Sequence, residues 1–284
     1  MTDIELLDSR LRELYSRNGC QKDALHDVVL YACTGGKYVR GRIVLDIAGH
    51  GATELAVAVE LLQAASLTID DLPCMDNDSE RRSKPSTFRF FGERLAILAS
   101  LYMVSESLKT VAKHFDGLGI SDLQSIRQFT ATTESLIQGQ AMDLDQEVND
   151  IRTIIELKTC SLFMLTFSLA LRHVFPKATG DGWGKVDEEV ASSLGLHLGF
   201  MYQLADDVED RERDVMEPSW KTRNAYLHFG PAATAAMYTE HSKAFQTLLD
   251  AHKLNSTFFR ELVIYLDSMM IPCRVRCGGA VTPP

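Results

Sequence analysis

Two acidic clusters in this chain carry carboxylates at spacings suited to a hard cation. One follows an apolar segment in LTIDDLPCMD, where a proline two residues after the aspartate pair predicts the end of a helix. The other is YQLADDVED, where spacings of three and four bring carboxylates to one helix face. Such like charges repel unless a cation neutralises them, and Mg²⁺ prefers oxygen ligands and bridges carboxylates to phosphates. The predicted magnesium ligands are Asp70, Asp71, Asp76, Asp206, Asp207 and Asp210.

Two other interpretations of the acidic clusters stay open at this point. Each cluster could be a solvated run of charges, or it could bind Ca²⁺. An EF-hand loop requires glycine at its sixth position, and the segment DNDSER lacks it. The occurrence of two clusters at helix ends, together with nearby cations, favours a shared cation site over a solvated surface.

Cationic side chains lie beside the first cluster and in three further segments, which we expect in loops or at helix ends. The segment GGKYVRGR lacks the first glycine and the serine or threonine of a nucleotide P-loop, but its leading glycines let backbone amides approach an anion. Carboxylates, Mg²⁺ and several cations together describe a site for one diphosphate or two. The cations concerned are Lys37, Arg40, Arg42, Arg81, Arg82, Lys84, Lys158 and Lys221.

Helical periodicity dominates the rest of the chain and supplies the elements that must position these side chains. Thr2 and Glu5 form a capping-box pattern before an amphipathic first helix, and no segment has the alternation of a β-strand. We predict one all-α domain over residues 1–272, a helical bundle around a central catalytic cavity, followed by a flexible tail at 273–284. Further helices are predicted at about 52–70, 90–115, 121–147, 151–173, 187–210, 231–251 and 256–270.

The composition narrows the possible partners and the cellular compartment. A formal net charge of −10 argues against nucleic-acid binding, which depends on clustered lysine and arginine. Six cysteines without a C-x-x-C pair indicate reduced thiols and a cytoplasmic protein. The start of the chain is polar, unlike a signal peptide, and no uninterrupted apolar run reaches 18 residues. The sequence therefore predicts no membrane span.

An ordered set of motifs resembles those of the trans-isoprenyl diphosphate synthases, the polyprenyl synthetase family of farnesyl and geranylgeranyl diphosphate synthases. The motifs are GGKYVR, DDLPCMD, RRSKP, GQAMDLD, the KT pair at 158 and YQLADDVED. Each motif alone is weak, whereas the ordered set, over about residues 30–230, is specific. The resemblance implies an isoprenoid-synthase helical bundle, a Mg²⁺-dependent prenyltransferase and a homodimer.

The resemblance also implies a role for each matching side chain. The aspartates named above would hold Mg²⁺ against an allylic diphosphate, with Asp207 acting partly through its neighbours. The allylic C–O bond would ionise, and the double bond of isopentenyl diphosphate would attack the carbocation. The implied ligands of the allylic diphosphate are Arg81, Lys158 and Lys221. Those of isopentenyl diphosphate are Lys37, Arg40 and Arg82. The residues implied at the reacting centre are Gln140, Thr159 and Gln203, and Asp143 matches as well.

Product length in this family depends on residues about one helical turn before Asp70. Ala65 and Ser66 are small, and together with the two extra residues in DDLPCMD they resemble the bacterial and plant geranylgeranyl class. The resemblance therefore implies a C20 product, with C15 as the alternative. Ala65 could instead simply pack against another helix, with a larger side chain deeper in the tunnel setting the length.

Several positions depart from the family pattern. Two histidines and a proline of that pattern are replaced by Gln63, Ile69 and Gly41, and Gln63 stands at a position that binds isopentenyl diphosphate. The loop after Asp210 is short and lacks a lysine, for which the nearby Arg211 and Arg213 are candidate substitutes. These changes would affect the rate and the affinity for isopentenyl diphosphate more than the chemistry.

Two rival functions stay open. A terpene cyclase shares ionisation at aspartates but needs no second diphosphate site, so Lys37, Arg40 and Arg82 speak against it. A non-catalytic partner subunit of another prenyltransferase would usually have lost an aspartate cluster, and this chain keeps both.

Overall fold

The computed structural model describes residues 1–15, 24–119, 123–145, 147, 150–175, 185–216 and 223–276. Most of this part of the chain is helical, as the periodicity predicts. The elements of the first half are α1 (Asp3–Tyr15), α2 (Ala24–Cys33), α3 (Val39–Ala48), a 3₁₀ turn (His50–Ala52), α4 (Thr53–Asp70), β1 (Glu80–Arg81), β2 (Lys84–Pro85), α5 (Thr87–Phe91), α6 (Glu93–Gly117) and α7 (Leu123–Leu144). Those of the second half are α8 (Ile151–Ile155), a π-helical turn (Glu156–Cys160), α9 (Ser161–Val174), α10 (Lys185–Asp214), α11 (Ala225–Phe229), α12 (Pro231–Ala251), α13 (Thr257–Met269) and α14 (Ile271–Arg276).

The long helices predicted from periodicity are confirmed, with ends that shift by at most about four residues. The capping box before α1 is also formed. Thr2 N–H donates to Glu5 Oε2 at 2.7 Å, and Glu5 N–H donates to Thr2 Oγ1 at 3.3 Å. The periodicity does not predict the shorter helices α2, α3, α5, α11 and α14, because only long apolar stripes give a clear helical period.

The prediction that no segment forms a strand is wrong at one place. Glu80 pairs with Pro85, and Arg81 pairs with Lys84, in a two-stranded antiparallel hairpin. The two residues of its loop, 82 and 83, have φ angles of 57° and 58°, which match a type I′ turn. Strands of two residues are too short to produce an alternating pattern, so periodicity cannot reveal them.

The chain divides into two compact units, Met1–Ala131 with Thr166–Gly184 and Thr132–Leu165 with Lys185–Pro284. In the first unit, α4 is largely buried and packs against α3 and α6. Two serines of α6 donate to its backbone: Ser100 Oγ to the Ala65 carbonyl at 2.8 Å and Ser107 Oγ to the Ala58 carbonyl at 2.6 Å. These contacts fix α4 and therefore the aspartates at its end.

In the second unit, α10 packs against α12, α13 and the π-helical turn. Two glycines permit close approach: a Cβ on Gly195 would lie 2.3 Å from Met164 Cα, and one on Gly199 would lie 2.6 Å from Cys160 Cα. Any larger residue would push the helices apart. Gly195 therefore brings α9, and Gly199 the π-helical turn, against α10 just before its acidic motif.

The first residues of the predicted tail, 273–276, are helical in the structure. Cys273 is fully buried, and α14, which packs against α12, continues to Arg276. Burial of the Cys273 side chain removes apolar surface from water, which stabilises this short helix in its folded position. Residues 277–284 of the predicted tail lie outside the described residues.

Three helical segments, His50–Asp70, Glu93–Gly117 and Ile151–Val174, are long and apolar enough to cross a membrane, judged by length and composition only. The buried shares of their apolar windows inside the protein are 67%, 33% and 78%. Burial in the fold therefore accounts for most of the apolar character of the first and third segments, but not of the second. The absence of a membrane span stays a prediction.

Candidate functional site

The first acidic cluster lies where α4 ends. Asp71 still has helical backbone angles, and Pro73 follows, which has no N–H to continue the helix. The chain then turns back, so that Asp76 N–H donates to the Asp70 carbonyl at 2.9 Å. Asp70 and Asp76 are half-buried, whereas Asp71 is buried. The turn thus returns Asp76 to the end of the helix, as the sequence predicts.

Buried Asp71 forms an ion pair with the half-buried Arg81 of the β-hairpin. Arg81 Nε and Nη2 donate to the same oxygen, Asp71 Oδ1, at 3.0 and 2.5 Å, and Nη2 also donates to Asp78 Oδ2 at 2.9 Å. Burial raises the pKa of Asp71, while the hydrogen bonds and charge of Arg81 act in the opposite direction. The sequence assigns Asp71 to Mg²⁺ and Arg81 to a diphosphate, and the structure adds that the two side chains neutralise each other. Sequence reasoning gave Asp78 no role.

Arg82 and Lys84 bind the backbone before the glycine-rich segment. Arg82 Nη1 donates to the carbonyls of residues 32–34 at 3.0 to 3.3 Å, and Lys84 Nζ donates to that of Tyr31 at 2.5 Å. These carbonyls lie at the end of α2, where the helix dipole favours cations. A Cβ on Gly36 would lie 2.9 Å from Arg82 Cζ, so glycine admits the guanidinium. Arg82 therefore supports this segment structurally, and its diphosphate role stays a prediction.

Glu60 of α4 is a candidate that sequence reasoning missed. It is 5% exposed, and its Oε1 accepts a hydrogen bond from Gly41 N–H at 2.7 Å. Burial raises the pKa of Glu60, while Gly41, Arg40 and Arg82 act to lower it. Glu60 thereby fixes the start of α3, where Lys37 is exposed and Arg40 is half-buried. The signal that could have revealed it is a lone carboxylate within the apolar run AVAVELLQ.

The predicted chain-length positions lie one to two turns before the end of α4. Ala65 is 1% exposed, and its carbonyl accepts the bond from Ser100 of α6. Ser66 is half-buried and donates through Oγ to the carbonyl of Gln63 at 3.0 Å. Ala65 therefore packs against a neighbouring helix, as the alternative interpretation requires, and its role in product length stays a prediction.

The second acidic cluster lies on α10. Asp207 is buried, and both of its carboxylate oxygens accept hydrogen bonds, one from Gln203 Nε2 and one from Ala225 N–H, each at 2.8 Å. Burial raises the pKa of Asp207 to about 7. Asp206 and Asp210 are half-buried. Asp207 thus ties α10 to the start of α11, and the other two aspartates are the more accessible candidates for a cation.

Arginines follow this cluster on the same helix. Arg213 Nη2 donates to Asp210 Oδ2 at 2.8 Å, and Arg213 Nε donates to Asp214 Oδ1 at 3.2 Å. Burial raises the pKa of Asp210, and the charge of Arg213 opposes that shift. Arg211 instead donates to the Val208 carbonyl of its own helix at 2.5 Å. Of the two arginines considered as substitutes for a missing lysine, Arg213 is the one bonded to a predicted ligand.

The Lys–Thr pair lies in the π-helical turn, not in a loop or at a helix end as the sequence suggested. Such turns insert an extra residue into a helix and frequently occur at functional sites. Thr159 Oγ1 donates to Gln203 Oε1 at 2.8 Å, and Gln203 in turn donates to Asp207. Lys158 Nζ pairs with Asp143 Oδ2 at 2.5 Å. The turn therefore places both side chains of the motif against predicted site residues.

The remaining predicted residues of this unit lie on α7 or outside the described chain. Gln140 is buried on α7, and a Cβ on the preceding Gly139 would lie 2.8 Å from the backbone nitrogen of Lys158. Lys221 lies outside the described residues. Arg223, which sequence reasoning missed, donates through Nη2 to the Asp145 carbonyl at 2.5 Å. The segment after α10 therefore carries a second cation, Arg223, in addition to the predicted Lys221.

The donor set fits a metal that binds together with a phosphate-bearing substrate. Within the described ranges, no three histidine, cysteine, aspartate or glutamate side chains form a group that could hold a metal ion. Mg²⁺ usually takes one or two carboxylates, with waters and substrate phosphates completing its coordination. Half-buried Asp70 and Asp76, joined through one turn, meet that requirement. The two clusters belong to different compact units, so their sharing one cation stays a prediction.

Comparison with known sequences gives consistent matches. The family model described as "Polyprenyl synthetase" matches residues 22–218. Farnesyl diphosphate synthase of Bacillus subtilis is 31% identical over 215 residues, which cover 70% of each chain. Geranylgeranyl pyrophosphate synthase 6 (mitochondrial) of Arabidopsis thaliana is 35% identical over 198 residues, which cover 64% of this chain and 58% of that relative. The chain thus spans less than two thirds of the plant protein's length.

A solved structure matches the fold over nearly its whole length. Geranyltranstransferase from Thermotoga maritima aligns with a TM-score of 0.75 at 26% sequence identity, covering 94% of this chain and 96% of that one. This agreement confirms the all-α fold predicted from periodicity.

Proposed function

The chain belongs to the polyprenyl synthetase family, and from this premise we propose that it condenses isopentenyl diphosphate with allylic diphosphates as a Mg²⁺-dependent trans-prenyltransferase. Its fold is the isoprenoid-synthase helical bundle. The observation that carries the proposal is that both aspartate clusters, each with an arginine bonded to one of its carboxylates, lie within the matched residues. The domain limits and a central cavity stay predictions.

In the proposed reaction, the predicted side chains would bind the substrates and assist ionisation, and no protein nucleophile is required. Mg²⁺, when bound by the aspartates, would supply positive charge that stabilises the leaving diphosphate. Arg81 and Lys158, each held by a carboxylate, would each contribute a cation that binds diphosphate oxygens. The allylic C–O bond breaks with its electron pair on diphosphate, and the isopentenyl double bond forms the new C–C bond. The released diphosphate then takes the proton lost from the isopentenyl unit.

We also propose that the product is geranylgeranyl diphosphate, with farnesyl diphosphate as the second candidate. The relatives named above include one synthase of each kind. The small size of Ala65 supports the longer product, because an aromatic side chain there would take up space needed by a growing chain. In this proposal, product length depends on the space left between α4 and its neighbours.

The experiment that tests the function is an elongation assay. Purified protein is incubated with isopentenyl diphosphate and dimethylallyl, geranyl or farnesyl diphosphate, with and without Mg²⁺, and products are identified by mass spectrometry. We expect a Mg²⁺-dependent C20 diphosphate. A C15 diphosphate would support the prenyltransferase activity but refute the proposed C20 product. Hydrocarbon products would indicate a terpene cyclase, and no product from any primer would favour a partner subunit.

Replacing Ala65 with phenylalanine is expected to shift the main product from C20 to C15. The matched control is Ala58→Phe, since Ala58 is equally buried on α4 and its carbonyl accepts the same kind of bond from α6. Overpacking costs about 1–3 kcal/mol at either position, so loss of stability alone affects both variants. A product unchanged in length, or shortened equally by both substitutions, would move the determinant elsewhere.

We further propose a homodimer in the cytoplasm. The family resemblance supports the first part, and the sparse cysteines, of which Cys33, Cys74, Cys160 and Cys273 are free, support the second. Helix α6 exposes adjacent apolar side chains at Ile97, Leu98 and Leu101, with exposed fractions of 40%, 54% and 62%. A patch of this kind is typical of an interaction surface. Light scattering of the purified protein measures the oligomeric state.

A further inference from the structure

Tyr38 has an unusual backbone conformation within the glycine-rich segment. Its φ and ψ are 49° and 41°, the left-handed region, at the residue that precedes α3. Among the described non-glycine residues with positive φ, it is the one aromatic side chain. A bulky side chain rarely adopts this conformation, and such strain persists only where the surroundings hold it in place. Tyr38 stands between Lys37 and Arg40, the two cations proposed to bind isopentenyl diphosphate.

The contacts that hold Tyr38 come from two directions. Its hydroxyl donates to Asp8 Oδ1 of α1 at 2.9 Å and accepts the N–H of Gly35 at 3.2 Å. The side chain is 2% exposed, and burial raises its pKa, which keeps the hydroxyl protonated as a donor. Asp8 is oriented in turn by Arg12 Nε, which donates to its Oδ2 at 2.6 Å. The hydroxyl thus links the first helix to the backbone of the segment.

Helix α1 is itself fixed to the body of its unit. Arg10 Nε donates to Glu54 Oε1 of α4 at 2.7 Å. Leu7 of α1 is fully buried and lies so close to Gly41 that a Cβ there would be 2.8 Å from Leu7 Cδ1. Helix α1 also precedes the residues matched by the family model, which begin at 22. An element outside the matched region therefore contacts the segment at Tyr38, in its middle, and at Gly41, near its end.

We propose that Asp8 and Tyr38 are positioning residues for isopentenyl diphosphate: they hold residues 35–40 in the strained conformation that directs Lys37 and Arg40 to its diphosphate. This inference rests on the proposed function. Without the hydroxyl, residue 38 relaxes toward common backbone angles and the two flanking cations change their relative orientation. A displacement of about 1 Å of groups in an active site can lower the reaction rate by up to about 100-fold.

The test compares Tyr38→Phe, Asp8→Ala and Asp8→Asn in the full chain. We expect the first two to raise the KM for isopentenyl diphosphate by about 10-fold, the loss expected for one hydrogen bond to a charged group. The KM for the allylic diphosphate stays unchanged, because its proposed ligands are bonded elsewhere. Asp8→Asn keeps an acceptor oxygen for the tyrosine hydroxyl, so it should remain within about twofold of wild type.

The matched control is Tyr15→Phe. It removes the hydroxyl of a different buried tyrosine, which lies on α1, and should leave both KM values unchanged. Thermal melting confirms that each variant is folded. Calorimetric titration with isopentenyl diphosphate gives a readout independent of turnover. If wild type binds it and Tyr38→Phe binds about 10-fold more weakly, the inference stands even where no elongation occurs and the proposed function fails. Equal binding by wild type and Tyr38→Phe, equal rises of both KM values, or no binding by wild type would overturn it.

Discussion

Replacing Asp70 with alanine is expected to lower kcat by about 100- to 1000-fold at saturating Mg²⁺, the loss typical when one preorganised electrostatic group is removed from an active site. Asp70 is half-buried at the end of α4, and its carbonyl accepts the N–H of Asp76. The substitution removes the carboxylate but leaves this backbone bond in place. The fold at the helix end should therefore survive while the charge that holds Mg²⁺ is lost.

The control for this experiment is Glu80→Ala. Glu80 is exposed and belongs to the same acidic segment, so its removal changes the net charge by the same amount without touching a predicted ligand. Turnover of both variants is measured across a Mg²⁺ titration. Asp70→Ala should stay slow at all Mg²⁺ concentrations, whereas Glu80→Ala should remain within about twofold of wild type. Full activity of Asp70→Ala at saturating Mg²⁺ would contradict the metal assignment.

The long helices could be predicted because their physical causes are local. Helix α4 has a nearly continuous apolar sequence and ends before Pro73, and α12 begins at Pro231, where a missing N–H costs nothing. The positions of the two aspartate motifs follow from these helices. The motif at 206–210 lies on one helix, and the motif at 70–76 lies at a helix end, as their spacings predict.

The features that escaped prediction depend on contacts between distant residues. The left-handed Tyr38 is held by Asp8, thirty positions earlier, and no local pattern marks that pairing. The π-helical turn carries Lys158 and Thr159 within a run whose period reads as an ordinary helix. Glu60 looks like a misplaced charge in an apolar helix until Gly41 N–H is found beside it. In each case tertiary structure supplies a partner that sequence spacing does not contain.

The same limit applies to the charges of the candidate site. Composition and spacing predict which cations and carboxylates belong to the site, but not which of them neutralise one another. Asp71 and Arg81 have separate predicted roles, yet the guanidinium donates twice to one oxygen of a buried carboxylate. Substrate and metal must therefore compete with, or bind around, an existing ion pair. The energetic cost of disturbing that pair is measurable without substrate.

Replacing Arg81 with leucine is expected to lower the free energy of unfolding by about 3 kcal/mol, measured by urea denaturation without Mg²⁺. Asp71 is 1% exposed, so loss of Arg81 leaves its charge buried with one fewer partner. Glu80→Ala, an exposed neighbour on the same hairpin, should change stability by no more than about 0.5 kcal/mol. A similarly small change for Arg81→Leu would show that the ion pair does not stabilise the hairpin.

The double variant Asp71→Asn, Arg81→Leu separates the charge effect from simple loss of packing. With the carboxylate neutral, most of the stability lost in Arg81→Leu should return, although activity should not.

The pH dependence of the free energy of unfolding tests the same charge effect independently. Burial already raises the pKa of Asp71 in the folded protein, and loss of Arg81 raises it further. The destabilisation by the buried charge is therefore complete above the folded-state pKa and absent below the pKa of the unfolded chain. The stability difference between wild type and Arg81→Leu should therefore narrow as the pH falls towards about 4. A difference that stays constant over this range would assign the effect to packing instead of charge.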